Sequence, residues 1–242
     1  MSLFELKYYL LHKPRSVVCS TVDSTINNPK HTERVHTTIY EYIASKGIIL
    51  NDNLHPVGRL DADTTGIILI TDDKQLLKLI RNPQSLTNNT DSSDEVIKDN
   101  PYKQKEYILT LLGKKCHKIW SWTSKEENET IERFSEPFTF RRNNEILTCA
   151  RANVTLLDRY QDKEYMRNTE LPFLGWCLKV KVIISEGKNH QVRRIASRNG
   201  YQVISLVRTR ISQILHISSV PNEGDMRELT PDEVKELYEV LK

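Results

Sequence analysis

The chain has 242 residues, of which 38% are hydrophobic and 28% charged, with a formal net charge of +3. That length fits one large domain or two small lobes, and that balance is soluble and globular rather than disordered. No apolar run approaches the roughly 20 residues of a membrane span, and the first residues lack the cleavage pattern of a signal peptide, so the expected location is the cytoplasm, with an organelle or the nucleus left open. Tyr8–Leu11 reads as an apolar strand running into the turn His12-Lys13-Pro14-Arg15, and Val17–Ser20 as a second strand. Residues 33–46 carry Val35, Ile39, Tyr42 and Ile43 at helical spacing, with Thr32 as a plausible N-cap and Gly47 at the end. Residues 66–71 are a continuous apolar strand, and Asp72-Asp73 opens a short helix with Leu76, Leu77 and Ile80.

Residues 82–103 are rich in Asn, Ser, Thr and Asp and read as a surface insertion. A strand follows at 105–112, with Tyr107, Leu109 and Leu111 on one face. Residues 121–132 read as a second polar insertion with some helix, 145–157 as strands, and 158–172 as a third, charged excursion. Trp176, Leu178, Val180, Val182 and Ile184 alternate along a strand, a turn spans 186–189, and a short helix at 190–199 ends before Gly200. Strands are expected at 201–207 and 211–217. Thr230, Pro231 and Glu233 then mark the capping box of a last helix. Strands with irregularly interspersed helices predict an α+β fold with a mostly antiparallel sheet.

Four cysteines, Cys19, Cys116, Cys149 and Cys177, lie far apart without a C-x-x-C pair, so reduced core thiols are expected rather than a zinc site. Residues 187–216 hold Lys188, Arg193, Arg194, Arg198, Arg208 and Arg210 and no acid, a local cationic zone suited to a phosphate backbone.

The segment with most chemistry is Gly58-Arg59-Leu60-Asp61-Ala62-Asp63-Thr64-Thr65-Gly66-Ile67-Ile68-Leu69-Ile70-Thr71-Asp72. A charged loop feeds a buried strand there, and loops held by rigid strands commonly carry catalytic groups. The two carboxylates could serve acid/base chemistry, while a metal site would need more ligands than His55 can add. This run resembles the signature of the RsuA-type pseudouridine synthases: G-R-L-D, two free positions, Ser or Thr, one free position, Gly, four aliphatics, Thr and a polar residue. Further segments resemble the family's motifs in the same order. They are the Lys13-Pro14 turn, Lys105-Glu106-Tyr107, Glu186-Gly187-Lys188-Asn189-His190-Gln191-Val192-Arg193-Arg194, Leu206 with Arg208, and Gly224 to Thr230. Ser16 and Ser212 depart from the family, standing where it usually has Gly, and the small N-terminal RNA-binding module common in the family is not seen.

The resemblance implies a single pseudouridine synthase domain of two lobes over 1–242. The enzyme would isomerise a uridine in structured RNA, ribosomal RNA first and transfer RNA second, as a monomer without cofactor or metal. It assigns Asp61 as the catalytic carboxylate, with Arg193 as its cationic partner and Tyr107 stacking on the unstacked base. Asp63 is the rival carboxylate but falls at a free position. Lys13, Arg15, Arg59, Lys188, Arg194 and Arg208 become candidates for phosphate contacts and Leu206 for packing on the base. His190 reads as structural. The rival readings are a catalytically inactive RNA-binding or ribosome-assembly protein of the same fold, and another base-directed enzyme. A deaminase lacks its H-x-E and P-C-x-x-C ligands here, and a phosphotransferase lacks a phosphate-binding glycine loop.

Overall fold

The computed structural model describes residues 6–20, 36–48, 53–81, 104–113, 123–161 and 176–241. The insertion expected at 82–103 and most of the one at 158–172 lie outside them. The chain divides into two compact units, Met1–Lys103 with Arg208–Lys242, and Gln104–Val207.

The first unit is built around β5 (Thr65–Thr71), all seven residues of which are buried. β1 (Tyr8–Lys13) pairs antiparallel with it, from Tyr8↔Thr71 to Lys13↔Gly66. β13 (Met226–Glu228) pairs with the other side of β1, and β4 (His55–Pro56) with β5. The last residues of β11 (Tyr201–Ile211) complete this sheet beside β5. The unbroken apolar run of β5 follows from a core on each face. Ile67 and Leu69 pack with Leu10, Leu76 and Leu77 of α2 (Lys74–Arg81) and Leu237 of α5 (Pro231–Leu241). Ile68 and Ile70 pack with Leu11 and with Ile39 and Ile43 of α1 (Ile39–Ser45). Alternating side chains of one strand thus feed two layers of helix.

Asp73 joins three of these elements. Its Oδ1 accepts from the N–H groups of Gln75 (2.9 Å) and Leu76 (3.1 Å), capping α2. Its Oδ2 accepts from the Tyr8 hydroxyl (2.7 Å) and the Tyr238 hydroxyl, fastening β1 and α5. Burial alone would push the Asp73 carboxyl up, yet these hydrogen bonds together hold it below the ordinary carboxylate value. The capping box of α5 is present, Thr230 and Glu233 each bonding the other's backbone N–H.

Two expectations are corrected here. The helix expected at 33–46 with Thr32 as cap starts in the described residues at Ile39. Thr38 is the cap, in a reciprocal box with Glu41. Thr37 and Thr38 are extended as β3 and pair in parallel with β2 (Val17–Val18). The strand expected at 211–217 is instead a hairpin return. β11 runs on to Ile211, Ser212 turns at φ 59°, and β12 (Leu215–His216) pairs back, Ile211↔Leu215.

The second unit holds β6 (Lys105–Gly113), β9 (Asn153–Gln161) and β10 (Trp176–Ile184), with the start of β11 beside β6. β10 is central to two antiparallel ladders, from Cys177↔Leu112 to Ile184↔Lys105 and from Trp176↔Gln161 to Ile183↔Asn153. The predicted alternation holds for Leu178, Val180, Val182 and Ile184, all buried. β9 continues to Gln161, into the stretch expected as a charged excursion. The register slips between Lys179 and Val180, leaving Leu157 as an unpaired bulge residue, 46% exposed. The helix expected within the polar stretch at 121–132 is α3 (Ser124–Ser135), twelve residues long and capped by Thr123 and Glu126. It buries Phe134 against the Tyr201 ring at 5.3 Å. β7 (Phe138–Arg142) and β8 (Glu145–Cys149) form a separate hairpin, and α4 (Gln191–Arg198) is the arginine-bearing helix. The fold is α+β, and the strand pairs with a register given above are antiparallel except β2 with β3.

Candidate active site

In the first unit, the loop before β5 is held from both sides of Asp61. The Leu60 N–H donates to Cys19 Sγ at 3.4 Å. The Ala62 carbonyl accepts from the Ser16 N–H at 2.9 Å and from Lys13 Nζ at 3.3 Å. Thr64 N–H to the Asp61 carbonyl, 3.0 Å, closes the turn. Asp61 is half-buried, Leu60 and Thr64 are buried beside it, and Asp63 is exposed. The loop therefore offers one partly sheltered carboxylate and one solvated carboxylate.

Lys13 corrects an expectation. It is wholly buried, and its ammonium donates to the carbonyls of Val17 (2.7 Å), Pro14 (2.9 Å) and Ala62. A side chain with no surface and three carbonyl acceptors is a staple for the Asp61 loop and not a phosphate contact. Burial pushes its amine down to about 8, against the pull of Cys19, Glu223, Asp61 and Asp63. The Cys19 thiol is pushed up by its own burial, opposed by the Leu60 N–H and by Lys13, Arg208 and Arg59.

Arg208 is corrected on the same ground. It is 2% exposed, and its Nε donates to the Ile67 carbonyl at 2.7 Å. Gly66 explains the closeness of these strands. At φ 106° it takes a conformation that suits glycine, and a Cβ there would run into the backbone of Arg208. Of the arginines expected to meet phosphate in this unit, Arg15 and Arg59 are exposed.

In the second unit, Tyr107 lies on β6 opposite Val182 and is 8% exposed, and Leu206 on β11 is buried. The turn before α4 is wired by two residues that the sequence reading gave no role. Glu186 Oε1 accepts from the Ala150 N–H (2.8 Å) and from Gln191 Nε2 (2.7 Å). Gln191, itself buried, accepts from the Lys188 N–H at 3.1 Å. Their signal was the polar Gln on the face that Val192, Ile195 and Ala196 bury. Lys188 pairs with Glu186 at 2.6 Å and donates to the Thr148 carbonyl, so its charge is spent inside the protein. His190 is the left-handed N-cap residue at φ 52°, and its carbonyl accepts from the Arg194 N–H. Arg193 and Arg194 are half-buried. Arg194 donates through Nε to the Asn189 carbonyl at 3.0 Å and lies 4.1 Å over the Phe140 ring, a fixed position within the protein.

An α+β fold with a wired G-R-L-D loop entering a buried strand, and an E-G-x-N-H-Q-V-R-R turn entering a helix, defines an enzyme of the uridine-isomerising class. Residues 7–198 match the family described as RNA pseudouridylate synthase, and the chain belongs to that family. It is 28% identical over 233 residues to the ribosomal small subunit pseudouridine synthase A of Haemophilus influenzae, covering 96% of this chain and 74% of the relative. The Escherichia coli K12 protein of the same name is 28% identical over 232 residues, covering 94% and 72%. A solved structure described as a pseudouridylate synthase superposes with a TM-score of 0.58 at 25% identity, covering 98% of this chain and 76% of that one. The chain is thus an RNA pseudouridine synthase, an isomerase. No helix among the described residues is long and apolar enough to cross a membrane.

Proposed function

We propose that this enzyme converts a specific uridine of ribosomal RNA to pseudouridine in the cytoplasm, acting as a monomer, with Asp61 as its catalytic carboxylate. The observation that carries the reading is the loop of Gly58 to Thr64, intact in sequence and stapled on both sides of Asp61. Similarity along nearly the whole chain to ribosomal small subunit synthases supports the substrate class. The reaction breaks the N1–C1′ bond, turns the base and joins C5 to C1′, releasing the C5 proton to solvent. Asp61 acts on the sugar, either attacking C1′ or removing the 2′ proton. Tyr107 offers a ring to the unstacked base and Arg193 a positive charge. Arg15 and Arg59 meet phosphates. The reaction is redox-neutral and needs no cofactor.

The inactive assembly-protein reading drew on the serines at 16 and 212. Both hold left-handed conformations, φ 65° and 59°, so the turns that glycine would make are made here by serine. The deciding experiment is tritium release from C5-labelled RNA of a strain lacking this gene. Wild type should release label and Asp61→Asn should release none while RNA binding persists. Turnover by the Asn variant would remove Asp61 from the role.

A further inference from the structure

We propose that the β7–β8 hairpin is an RNA-backbone contact of this enzyme, with Arg141 and Arg142 as its phosphate-binding pair; this rests on RNA being the substrate. Arg142↔Glu145 is the last pair of the ladder, so Asn143 and Asn144 make a two-residue turn, at φ 46° and 66°. Positive φ at both positions is the tight hairpin geometry that matches strand twist. Two strands alone are marginal in water, so the ribbon must be anchored, and its anchors are all on one side. Phe138 and Phe140 share a face of β7. Arg198 lies 5.1 Å over the first ring and Arg194 4.1 Å over the second. These arginines are four residues apart and so share one face of α4. Arg198 also donates to the carbonyls of Glu136 and Pro137 at the base of the ribbon. At the end of β8, Lys188 holds the Thr148 carbonyl and Glu186 the Ala150 N–H.

The opposite face is bare. Thr139, Arg141, Ile146 and Thr148 are exposed, Ile146 at 69%. Arg141 stands opposite Ile146 on that face, and Arg142 emerges on the other face beside the turn. Among the described residues neither guanidinium makes an ion pair or a hydrogen bond. Unpaired, solvated guanidinium forks suit phosphate oxygens. The hairpin and α4 together carry Arg141, Arg142, Arg193, Arg194 and Arg198 against Glu145, with Arg198 paired to Glu136 at 3.3 Å, a net positive sign that favours RNA over a basic or neutral protein partner. The stacked arginines and the Glu186 bond make the ribbon a rigid arm, so phosphate contact there costs little ordering entropy.

The test compares wild type with Arg141→Gln/Arg142→Gln, Arg141→Lys/Arg142→Lys and Arg141→Gln. The probe is an in vitro transcript of small-subunit ribosomal RNA labelled with C5 tritium. Filter binding is measured from about 50 to 200 mM salt beside turnover. The glutamine pair should raise Kd and KM about tenfold, leave kcat and the melting temperature unchanged, and flatten log Kd against log salt by about 1.4 to 1.8. The single variant should give about half that flattening, and the lysine pair should stay near wild type. Unchanged Kd and salt slope in the glutamine pair would overturn the proposal, as would a fall in kcat or melting temperature at unchanged Kd. If wild type binds this RNA but releases no tritium, the ribosomal substrate fails, and the binding arm still decides the hairpin.

Discussion

Lys13 and Ser212 each show a side chain doing something its residue type does not announce. A buried lysine with three carbonyl acceptors holds the Asp61 loop by charge-dipole bonds that an apolar side chain cannot replace. Lys13→Met should lower kcat by roughly 10- to 100-fold, because a small displacement of a catalytic group costs that much. RNA affinity and its salt slope should not move, as filter binding would show, whereas a phosphate-contacting lysine would flatten the slope. Ser212 combines a left-handed backbone with a buried hydroxyl that has no hydrogen-bond partner among the described residues. The backbone costs about 1–2 kcal/mol and the orphaned hydroxyl about 1–3 kcal/mol. Glycine relieves both at an entropic cost of about 0.5–1 kcal/mol. Ser212→Gly should therefore stabilise the protein by about 1–4 kcal/mol in urea unfolding. Ser16→Gly, at an exposed position that relieves only the backbone, should gain less than about 1 kcal/mol.

At the scale of elements, strand β5 and helix α5 each carry one contact whose loss can be measured. β5 approaches β11 so closely at Gly66 that any side chain there must part the strands. Gly66→Ala should cost at least about 3 kcal/mol by denaturant titration, the upper range of core overpacking. The last helix is fixed by its apolar stripe and by Tyr238 on Asp73. Tyr238→Phe removes one hydrogen bond to a charged group and should cost about 1.5–3 kcal/mol. A cycle with Tyr8→Phe should be non-additive, because both hydroxyls share one oxygen. The capping boxes of α1, α3 and α5 were all written as Thr followed three residues later by Glu. That of α5 was legible. Those at Thr38 and Thr123 were not, because Val35 continued the helical period upstream and α3 carries only Ile131 and Phe134 as large apolar residues in a polar run.

For the whole molecule, the pH dependence of stability has two limbs of known sign. Arg227 hydrogen-bonds Glu233, and Asp73 accepts from two tyrosines and two N–H groups, so both carboxyls lie below their ordinary values. Folding then binds fewer protons than the open chain in that range. Their stabilisation is present above the unfolded carboxylate values and is lost as pH falls through the folded ones. Asp73→Asn should shallow the acid limb of a melting-temperature profile. Lys13 acts in the other range. Its amine titrates near 8 in the folded chain and near its ordinary value when unfolded, so the unfolded state binds more protons between them. Its contribution to stability rises with pH across that window, and Lys13→Met should remove the rise.

The sequence by itself determined the family, the strand that carries the site and the carboxylate loop before it. Those features are contiguous, and hydrophobic period and motif spacing are local properties of a chain. It also determined the last helix, whose cap and apolar stripe lie within twelve residues of each other. Only the tertiary structure decided which of the motif cations are held inside the protein. Lys13, Lys188, Arg194 and Arg208 looked alike as basic residues in motifs, but their charges are held within the protein, in part by near neighbours such as Val17 and Glu186 and in part by the Ala62, Thr148 and Ile67 carbonyls and the Phe140 ring from distant segments. Whether a charge faces phosphate or backbone depends on what folding brings within about 3 Å of it, and that distance is written in no local pattern.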